Sequence, residues 1–232
     1  MAYAPTVTGI SGLVSYWKLN ETTGTVATDT NATQNGTYNG GPTLNQTSLL
    51  PADAEVCALF DGVNDNVLVG NLAALQLTTG TVVAWVKTVN SPSGQRIIVS
   101  KQEAFSMFLQ AGTLAGWDAG GSASRSSGYY CGDNAVHMVA YRFASGVAAG
   151  SNFWADGSAR GAAFQMTVLN QNSALWIGEE ANGAYSETWG GYKQHVAVYN
   201  RKLTDAELTS LWNAGGAPTP PSTAPSLSLI HI

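Results

Sequence analysis

Residues 60–67 read Phe-Asp-Gly-Val-Asn-Asp-Asn-Val, an apolar start and an apolar end around a polar centre. The apolar character continues on both sides, over residues 56–60 and 66–69, and predicts two short strands. The Asp61-Gly62 pair between them is typical of a turn that joins antiparallel strands. The stretch therefore predicts two strands on either side of a tight turn.

Three further blocks accompany this stretch along the chain. One precedes it, Leu-Val-Ser-Tyr-Trp-Lys-Leu-Asn-Glu at 13–21. Two follow, Thr-Val-Val-Ala-Trp-Val-Lys at 81–87 and Val-Ala-Val-Tyr-Asn-Arg-Lys-Leu-Thr-Asp-Ala-Glu-Leu at 196–208. In this order and spacing the four blocks resemble the laminin-G-like, or concanavalin A-like, lectin/glucanase jelly roll, over residues 12–216. The resemblance implies an all-β sandwich of two antiparallel sheets, but no single function, because lectins, adhesion modules, glycosidases and structural domains share this fold.

The composition favours the same fold class. The chain has 232 residues, of which 26 are glycine, and only 11% are charged, as expected for many short strands joined by turns. A net charge of −5 argues against a nucleic-acid partner, which would need a basic surface. No apolar run is long enough to span a membrane, so membrane insertion is not expected.

The two ends are expected to lie outside the domain, with residues 1–11 as a lead-in. These first residues show no basic or apolar region of a secretory signal, so a place on the extracellular surface or in a virion implies another route of release. Residues 217–226 are a Pro/Thr/Ser linker of the kind that joins extracellular domains. Residues 227–232 can be encoded by an adapter used in preparing sequencing libraries, and we expect them to be an artefact of that origin.

One short helix is predicted, at about residues 204–213. Thr204 is the expected N-cap, and Glu207 is placed to complete the capping box. Leu203 and Leu208 can form a hydrophobic staple, and Gly215 is a typical stop. In contrast, residues 22–55 are polar and turn-rich, and they predict a long decorated loop rather than a run of strands.

No set of catalytic residues is apparent, so the chain is not expected to be an enzyme. Glycosidases of this fold with paired carboxylates usually carry them at alternate positions of one strand. Here Glu179 and Glu180 are adjacent and would point to opposite faces of a strand, and Glu187 stands alone. At Gln194 and His195 the resembled family commonly has Asp-Glu, so a site built on those two acids is in doubt.

Calcium is the cofactor that the sequence suggests, because clustered side-chain oxygens in turns suit this cation. Asp29 and Asn31 form one candidate cluster, and Asp61 and Asp65 form a second. The alternative for each cluster is purely structural: Asx turns at Asp29 and Asn31, and a turn-closing hydrogen bond at Asp61.

Aromatic residues in polar loops suggest a sugar site, since a flat ring stacks on the C–H face of a sugar. The candidate ligand-binding residues are Trp117, Asp118, Tyr129, Tyr130, Tyr185 and Trp189. Packing beneath a long loop is the alternative for each ring. Five other tryptophans, Trp17, Trp85, Trp154, Trp176 and Trp212, lie in predicted strands or in the helix and are expected in the core.

The two cysteines leave two possibilities open, a disulfide or two buried free thiols. Apolar neighbours around Cys57 favour a free thiol in a core strand. Cys131 follows two tyrosines and is less defined by its surroundings.

The expected function is a non-catalytic carbohydrate-binding or adhesion module of a larger modular or phage virion protein. Its partners would be a glycan or surface polysaccharide, together with other virion or cell-surface proteins. One alternative is a purely structural virion domain, for decoration or a tail fibre. A second is a glycosidase with atypical carboxylates.

Overall fold

The computed structural model describes residues 3–89, 93–169, 172–180 and 187–216. Sixteen strands, two α-helices and one short 3₁₀ helix form in these parts of the chain. In chain order they are α1 (Tyr3–Gly9), β1 (Leu13–Trp17), β2 (Val26–Ala27), β3 (Gly36–Asn39), β4 (Thr43–Gln46), β5 (Cys57–Asp61), β6 (Asn66–Gly70), the 3₁₀ helix (Ala73–Leu75), β7 (Thr79–Thr88), β8 (Gln95–Lys101), β9 (Phe105–Gln110), β10 (Thr113–Asp118), β11 (Ala123–Tyr130), β12 (His137–Ala144), β13 (Ser151–Ala155), β14 (Ser158–Phe164), β15 (Leu175–Ile177), β16 (Gly190–Tyr199) and α2 (Asp205–Ala214).

The strands form two antiparallel sheets that pack face to face, which confirms the predicted sandwich. One sheet has the order β14-β13-β12-β7-β16-β5-β4, with β1 also paired to β16. We call it the helix sheet, because both helices pack on its outer face. The other has the order β11-β10-β9-β8-β15-β6-β3-β2. We call it the cleft sheet, because its outer face carries the cleft described below.

Strand β7 shows how the layers are held together. Its residues alternate between two apolar clusters. Val82, Ala84 and Val86 pack between the sheets, whereas Val83 and Trp85 pack beneath the helices. The helix sheet is therefore apolar on both faces, while the cleft sheet has the inter-sheet core on one face only.

Helix α2 begins as the sequence predicts. The Thr204 side chain accepts a hydrogen bond from the Glu207 N–H, and the Glu207 side chain accepts one from the Thr204 N–H, which completes the capping box. Arg201 forms an ion pair with Glu207 and holds the pKa of that carboxyl at about 2. The helix ends at Ala214, one residue before the predicted stop.

The first described residues form a helix within the segment that was expected to be a lead-in. Helix α1 places the buried side chains of Tyr3 and Val7 on the outer face of the helix sheet. The Tyr199 hydroxyl donates a hydrogen bond of 3.0 Å to the Val7 carbonyl. Docking on the sheet thus stabilises a helix of seven residues that would not form alone.

Residues 22–55 contain three short strands, β2, β3 and β4, so the prediction of a long loop is wrong. Tyr38 of β3 is buried against the inter-sheet core, and its hydroxyl donates to Glu21. Further along the chain, β11 and β14 form one edge of the cleft sheet and of the helix sheet, respectively. No helix in the described ranges is both long and apolar enough to cross a bilayer.

Candidate functional site: a cleft on the outer face of one sheet

A cleft of about 390 Å³ lies on the outer face of the cleft sheet, across strands β8, β9 and β10. Side chains from these strands form its floor, and residues before and after them form its walls. The lining residues are Gln95, Gln102, Glu103, Ser106, Phe108, Trp117, Ala119, Ser122, Leu169, Glu180 and Glu187.

The floor follows from strand alternation. In β9, Phe105, Met107 and Leu109 point into the inter-sheet core. The intervening Ser106 and Phe108 therefore point to the opposite face, where they line the cleft. A small apolar cluster that includes Phe108 supports Trp117 from below.

One cross-strand row places two tryptophans on either side of two serines. Trp176 of β15 pairs with Ser100 of β8, Ser100 pairs with Ser106 of β9, and Ser106 pairs with Trp117 of β10. Adjacent strands are about 4.8 Å apart, so the two tryptophan backbones are about 14 Å apart. The sequence assigned Trp176 to the core, and that prediction is wrong: its ring is half-buried on the cleft face.

Two carboxyl groups meet in the cleft. Glu180 follows β15, and its carboxyl group lies against that of Glu187, which precedes β16. The Glu187 backbone carbonyl accepts a hydrogen bond of 2.8 Å from the Ile97 N–H, which fixes this segment to β8. Burial, reinforced by the neighbouring Glu187, raises the pKa of Glu180 to about 7. Residues 181–186 separate the two acids along the chain, and the acids do not share a strand, so strand periodicity gave no sign of the pair.

Several buried polar atoms of this face have no hydrogen-bond partner. They are the Ser106 hydroxyl, the Trp176 indole N–H and Oε2 of Glu187. Buried polar groups are normally paired, because an unpaired one costs about 1–3 kcal/mol. Because Ser106 and Glu187 line the cleft, these unpaired groups make the cleft a candidate binding site in the described part of the chain.

The structure brings some of the predicted ligand-binding residues to this face. Trp117 lines the cleft. Tyr130 pairs with Thr113 at the far end of β10 and is 44% exposed, with its ring against Gly112. Tyr185 lies outside the described residues.

Asp118 and Trp189 do not fit the role that the sequence predicted. The Asp118 carboxylate is buried and accepts hydrogen bonds from Gly121, Arg125 and Thr167, which fix a turn at the end of β10. The Trp189 ring has no exposed area and lies in the inter-sheet core, 4.8 Å from the Lys193 ammonium. For Trp189 the packing alternative is correct.

Tyr129 belongs to a closed polar network. Its hydroxyl donates to Asp156, and the Arg160 guanidinium lies 3.8 Å above its ring. His137 bonds both Asp156 and Asp133. Burial acts to lower the pKa of His137, but the two carboxylates outweigh it and raise that pKa. Each polar group therefore has a protein partner, which indicates a structural role.

The first candidate calcium cluster is fully occupied by protein donors. The buried Asp29 carboxylate accepts hydrogen bonds from the backbone N–H groups of Tyr16, Asn31, Thr33 and Gln34. The side-chain nitrogen of Asn31 donates to the Val14 carbonyl at 2.7 Å. The Asx-turn alternative matches these contacts, since N–H donors around the carboxylate compete with a cation.

The second candidate calcium cluster, Asp61 and Asp65, includes a buried oxygen without a partner. Asp61 accepts from the Val63 N–H at 2.8 Å, a turn-closing contact. Asp65 accepts from the Asp61 N–H through Oδ2, whereas its buried Oδ1 has no partner. Burial raises the pKa of Asp65. The calcium prediction therefore rests on Asp65 and the turn around it.

A third group of metal-ligand type was not recognised in the sequence. Ligand atoms of Asp53, Glu55 and His195 lie within 4.8 Å of one another. His195 bonds the Tyr16 hydroxyl at 2.6 Å and Asp53 at 3.1 Å, while Lys18 forms an ion pair with Glu55. These residues could hold a metal ion only after the Lys18 ammonium had moved away. The signal was hidden because both acids lie in the segment interpreted as a loop.

Both cysteines are free and buried, which confirms the prediction for Cys57 and resolves the alternatives for Cys131. Cys57 lies beneath the helices and Cys131 between the sheets. Burial raises the pKa of the Cys57 thiol to about 12.

Comparison with known proteins gives a family match. A family profile described as "Concanavalin A-like lectin/glucanases superfamily" matches residues 61–209. Comparison with curated protein sequences gives no significant match.

Similar solved structures include enzymes and binding domains. A Trypanosoma rangeli sialidase in complex with the inhibitor DANA has a TM-score of 0.65 at 15% identity, covering 88% of this chain and 33% of the sialidase. The binding domain of Paraclostridial Mosquitocidal Protein 1 has a TM-score of 0.66 at 14% identity, covering 88% of this chain and 52% of that domain.

Domain 4 of AbnA, an extracellular arabinanase from Geobacillus stearothermophilus, was solved in complex with arabinotriose. It has a TM-score of 0.61 at 14% identity and covers 86% of this chain and 97% of that domain. This chain thus spans about a third of the length of the sialidase and nearly all of the arabinanase domain. At these identities the likeness concerns the fold.

Proposed function

The chain belongs to the concanavalin A-like lectin/glucanase superfamily, and on that premise we propose that its cleft binds carbohydrate without hydrolysing it. The observation that carries the proposal is the row in which Trp176 and Trp117 flank Ser100 and Ser106. Rings at both ends can stack on sugar faces, and the groups between them can bond hydroxyls.

The unpartnered atoms support a polar ligand rather than an apolar one. A sugar hydroxyl both donates and accepts, so it can satisfy the Trp176 N–H as well as the oxygens of Ser106 and Glu187. An apolar ligand would leave these three groups unpaired and would bind weakly.

The carboxyl pair supports binding without hydrolysis. Retaining glycosidases hold their two carboxyl groups about 5–5.5 Å apart, and inverting enzymes hold them about 6.5–9.5 Å apart. Glu180 and Glu187 instead interact directly with each other, so they do not form the separated acid and base or nucleophile of these enzymes. The glycosidase alternative would need one of these side chains to move.

We place this module within a larger protein that acts on the extracellular surface or in a virion. The support is that similar structures include a domain of an extracellular arabinanase and part of a sialidase. Its partner in this proposal is a glycan or surface polysaccharide, with calcium at the Asp65 turn as a structural cofactor. A purely structural virion domain remains the competing function, and it predicts no ligand for the cleft.

A glycan array tests the proposal, followed by titration of the best oligosaccharide. We expect Trp117→Ala to weaken binding several-fold, since one stacked ring contributes on the order of 1 kcal/mol. Tyr192→Ala is the matched control, because Tyr192 is also half-buried but lies on the helix sheet. An array with no bound glycan would favour the structural alternative. Release of reducing ends from the bound oligosaccharide would contradict the non-catalytic role.

A further inference from the structure

We propose that the cleft selects an amino sugar, whose ammonium group lies between the carboxyl groups of Glu180 and Glu187. The inference rests on the proposed carbohydrate function and names the class of sugar. It follows from the charges around the cleft, from the contact between the two acids, and from the unpartnered atoms beside them.

The charged residues that line the cleft are all acidic. Glu103, Glu180 and Glu187 are the titratable lining residues in the described ranges, and no lysine, arginine or histidine is among them. The Lys193 ammonium approaches β8 from the core side, where it donates to the carbonyls of Ile97 and Ile98. An acidic sugar would therefore meet like charges, whereas a cationic one would meet complementary charges.

The two acids in contact provide a place for an ammonium group. Two carboxyl groups in hydrogen-bond contact share a proton, because two full negative charges at that distance repel each other. An ammonium group can replace this proton and donate one N–H to each carboxylate. The proton then leaves to solvent, so the complex has two carboxylates, one ammonium and one fewer proton. Oε2 of Glu187, which has no donor, is positioned to accept.

The rest of the cleft distinguishes an amino sugar from a bare cation. Trp176 lies on the same sheet face, in the row beside the cleft, and its indole N–H is a donor that cannot ligate a metal ion but can donate to a sugar hydroxyl. Ser106 is 3% exposed, lines the cleft and has no partner, so its hydroxyl can bond a second sugar hydroxyl. The Trp117 ring provides the stacking surface.

Calorimetric titration of the full chain with matched oligosaccharides tests the inference. The ligands are glucosamine and N-acetylglucosamine oligomers of equal length, an oligogalacturonate, and calcium chloride alone. Titration in buffers of different ionisation enthalpy counts the protons released. We expect the glucosamine oligomer to bind about tenfold tighter than its acetylated form, with release of about one proton. The oligogalacturonate should bind more weakly than either.

Two variants test whether Glu180 and Glu187 cause the preference for the amino sugar and the proton release. Glu180→Gln/Glu187→Gln should abolish both the preference for the amine and the proton release, while binding of the acetylated oligomer persists. Glu179→Gln is the matched control: Glu179 adjoins Glu180, but its carboxylate bonds Asn66 outside the cleft. Equal affinity for the two glucosamine-based oligomers, or unchanged preference in the double variant, overturns the inference and leaves the carbohydrate function standing. The same proton release with calcium alone identifies a metal site and overturns it too. No binding of any sugar removes the proposed function as well.

Discussion

The cleft and the His137 network are both polar, and both hold paired acids, but their hydrogen bonding differs. At His137 the ring lies between Asp133 and Asp156, and each nitrogen has a carboxylate partner. At the cleft, Glu180 meets another acid, and Glu187 retains an oxygen without a donor. The first network is complete in the protein alone, whereas the second requires a further group.

This difference distinguishes polar groups that stabilise the fold from polar groups that are available to a ligand. A saturated network stabilises the fold, and changing one member leaves a buried partner unpaired. An unsaturated surface has a cost in the free protein that a ligand can offset. We therefore expect variants of core and network residues to alter stability, and variants of cleft residues to alter binding.

The largest effect is expected from the inter-sheet core. Trp189→Ala should lower the free energy of unfolding by about 3–5 kcal/mol, because it removes a fully buried ring. Trp117→Ala, on the cleft face, should cost much less. Denaturant unfolding of the two variants measures both values, and equal losses would contradict the separation between core and cleft.

A smaller effect, with a defined pH dependence, is expected at His137. Its pKa is raised in the folded state, so its stabilisation is fully present below the unfolded pKa of about 6.5 and is lost as pH rises through the folded pKa. His137→Gln should cost about 2 kcal/mol between about pH 5 and 6, and less in alkaline solution. Of the two carboxylates, Asp133 contributes less to the stabilisation by His137 than Asp156 does, since the Asp133 side chain is 45% exposed.

His195 provides a control of opposite sign. Burial lowers its pKa, so its contribution is present above the unfolded pKa and is lost as pH falls. The cost of His195→Gln should therefore shrink toward acid, where the cost of His137→Gln is greatest. Unfolding curves across this pH range test both variants, and parallel pH profiles would refute the assignment of opposite charge states.

Calcium is expected to have a smaller effect again. Calcium in several-fold excess over its dissociation constant should stabilise the native state by about 1 kcal/mol. Asp65→Asn should remove this response. Asp29→Asn should lower stability equally with calcium and with chelator, because Asp29 serves backbone N–H groups. Thermal melts that do not change across millimolar calcium would eliminate the proposed site.

The sequence predicted those elements that short-range patterns define. Neighbouring residues define strands β5 and β6, on either side of the Asp61-Gly62 turn, and the capping box of α2. They do not show that β5 and β6 join different sheets. Helix α1 and strands β2 to β4 have weak patterns of their own. They form because the sheets bury Tyr3, Val7 and Tyr38, and such long-range packing is invisible to local periodicity.

The residues of the cleft were predictable only in part, because most of their contacts also depend on long-range packing. Trp117 was recognised because polar residues surround it in the sequence. Trp176 was not, because an apolar strand around a tryptophan does not reveal which face the ring occupies. Glu180 and Glu187 meet only after β15 and β16 take their places in different sheets. Contacts of this kind depend on topology rather than on spacing.

The most direct test of the cleft follows the indole N–H signals of the seven tryptophans by NMR during titration with the best-binding oligosaccharide. The unpartnered Trp176 N–H should shift strongly, because it gains an acceptor, and the Trp117 signal should shift with its stacked ring. The signals of Trp85 and Trp189, which are buried away from the cleft, should stay in place. A bound sugar that leaves Trp176 unchanged, or that moves Trp85 instead, would place the binding site elsewhere on the molecule.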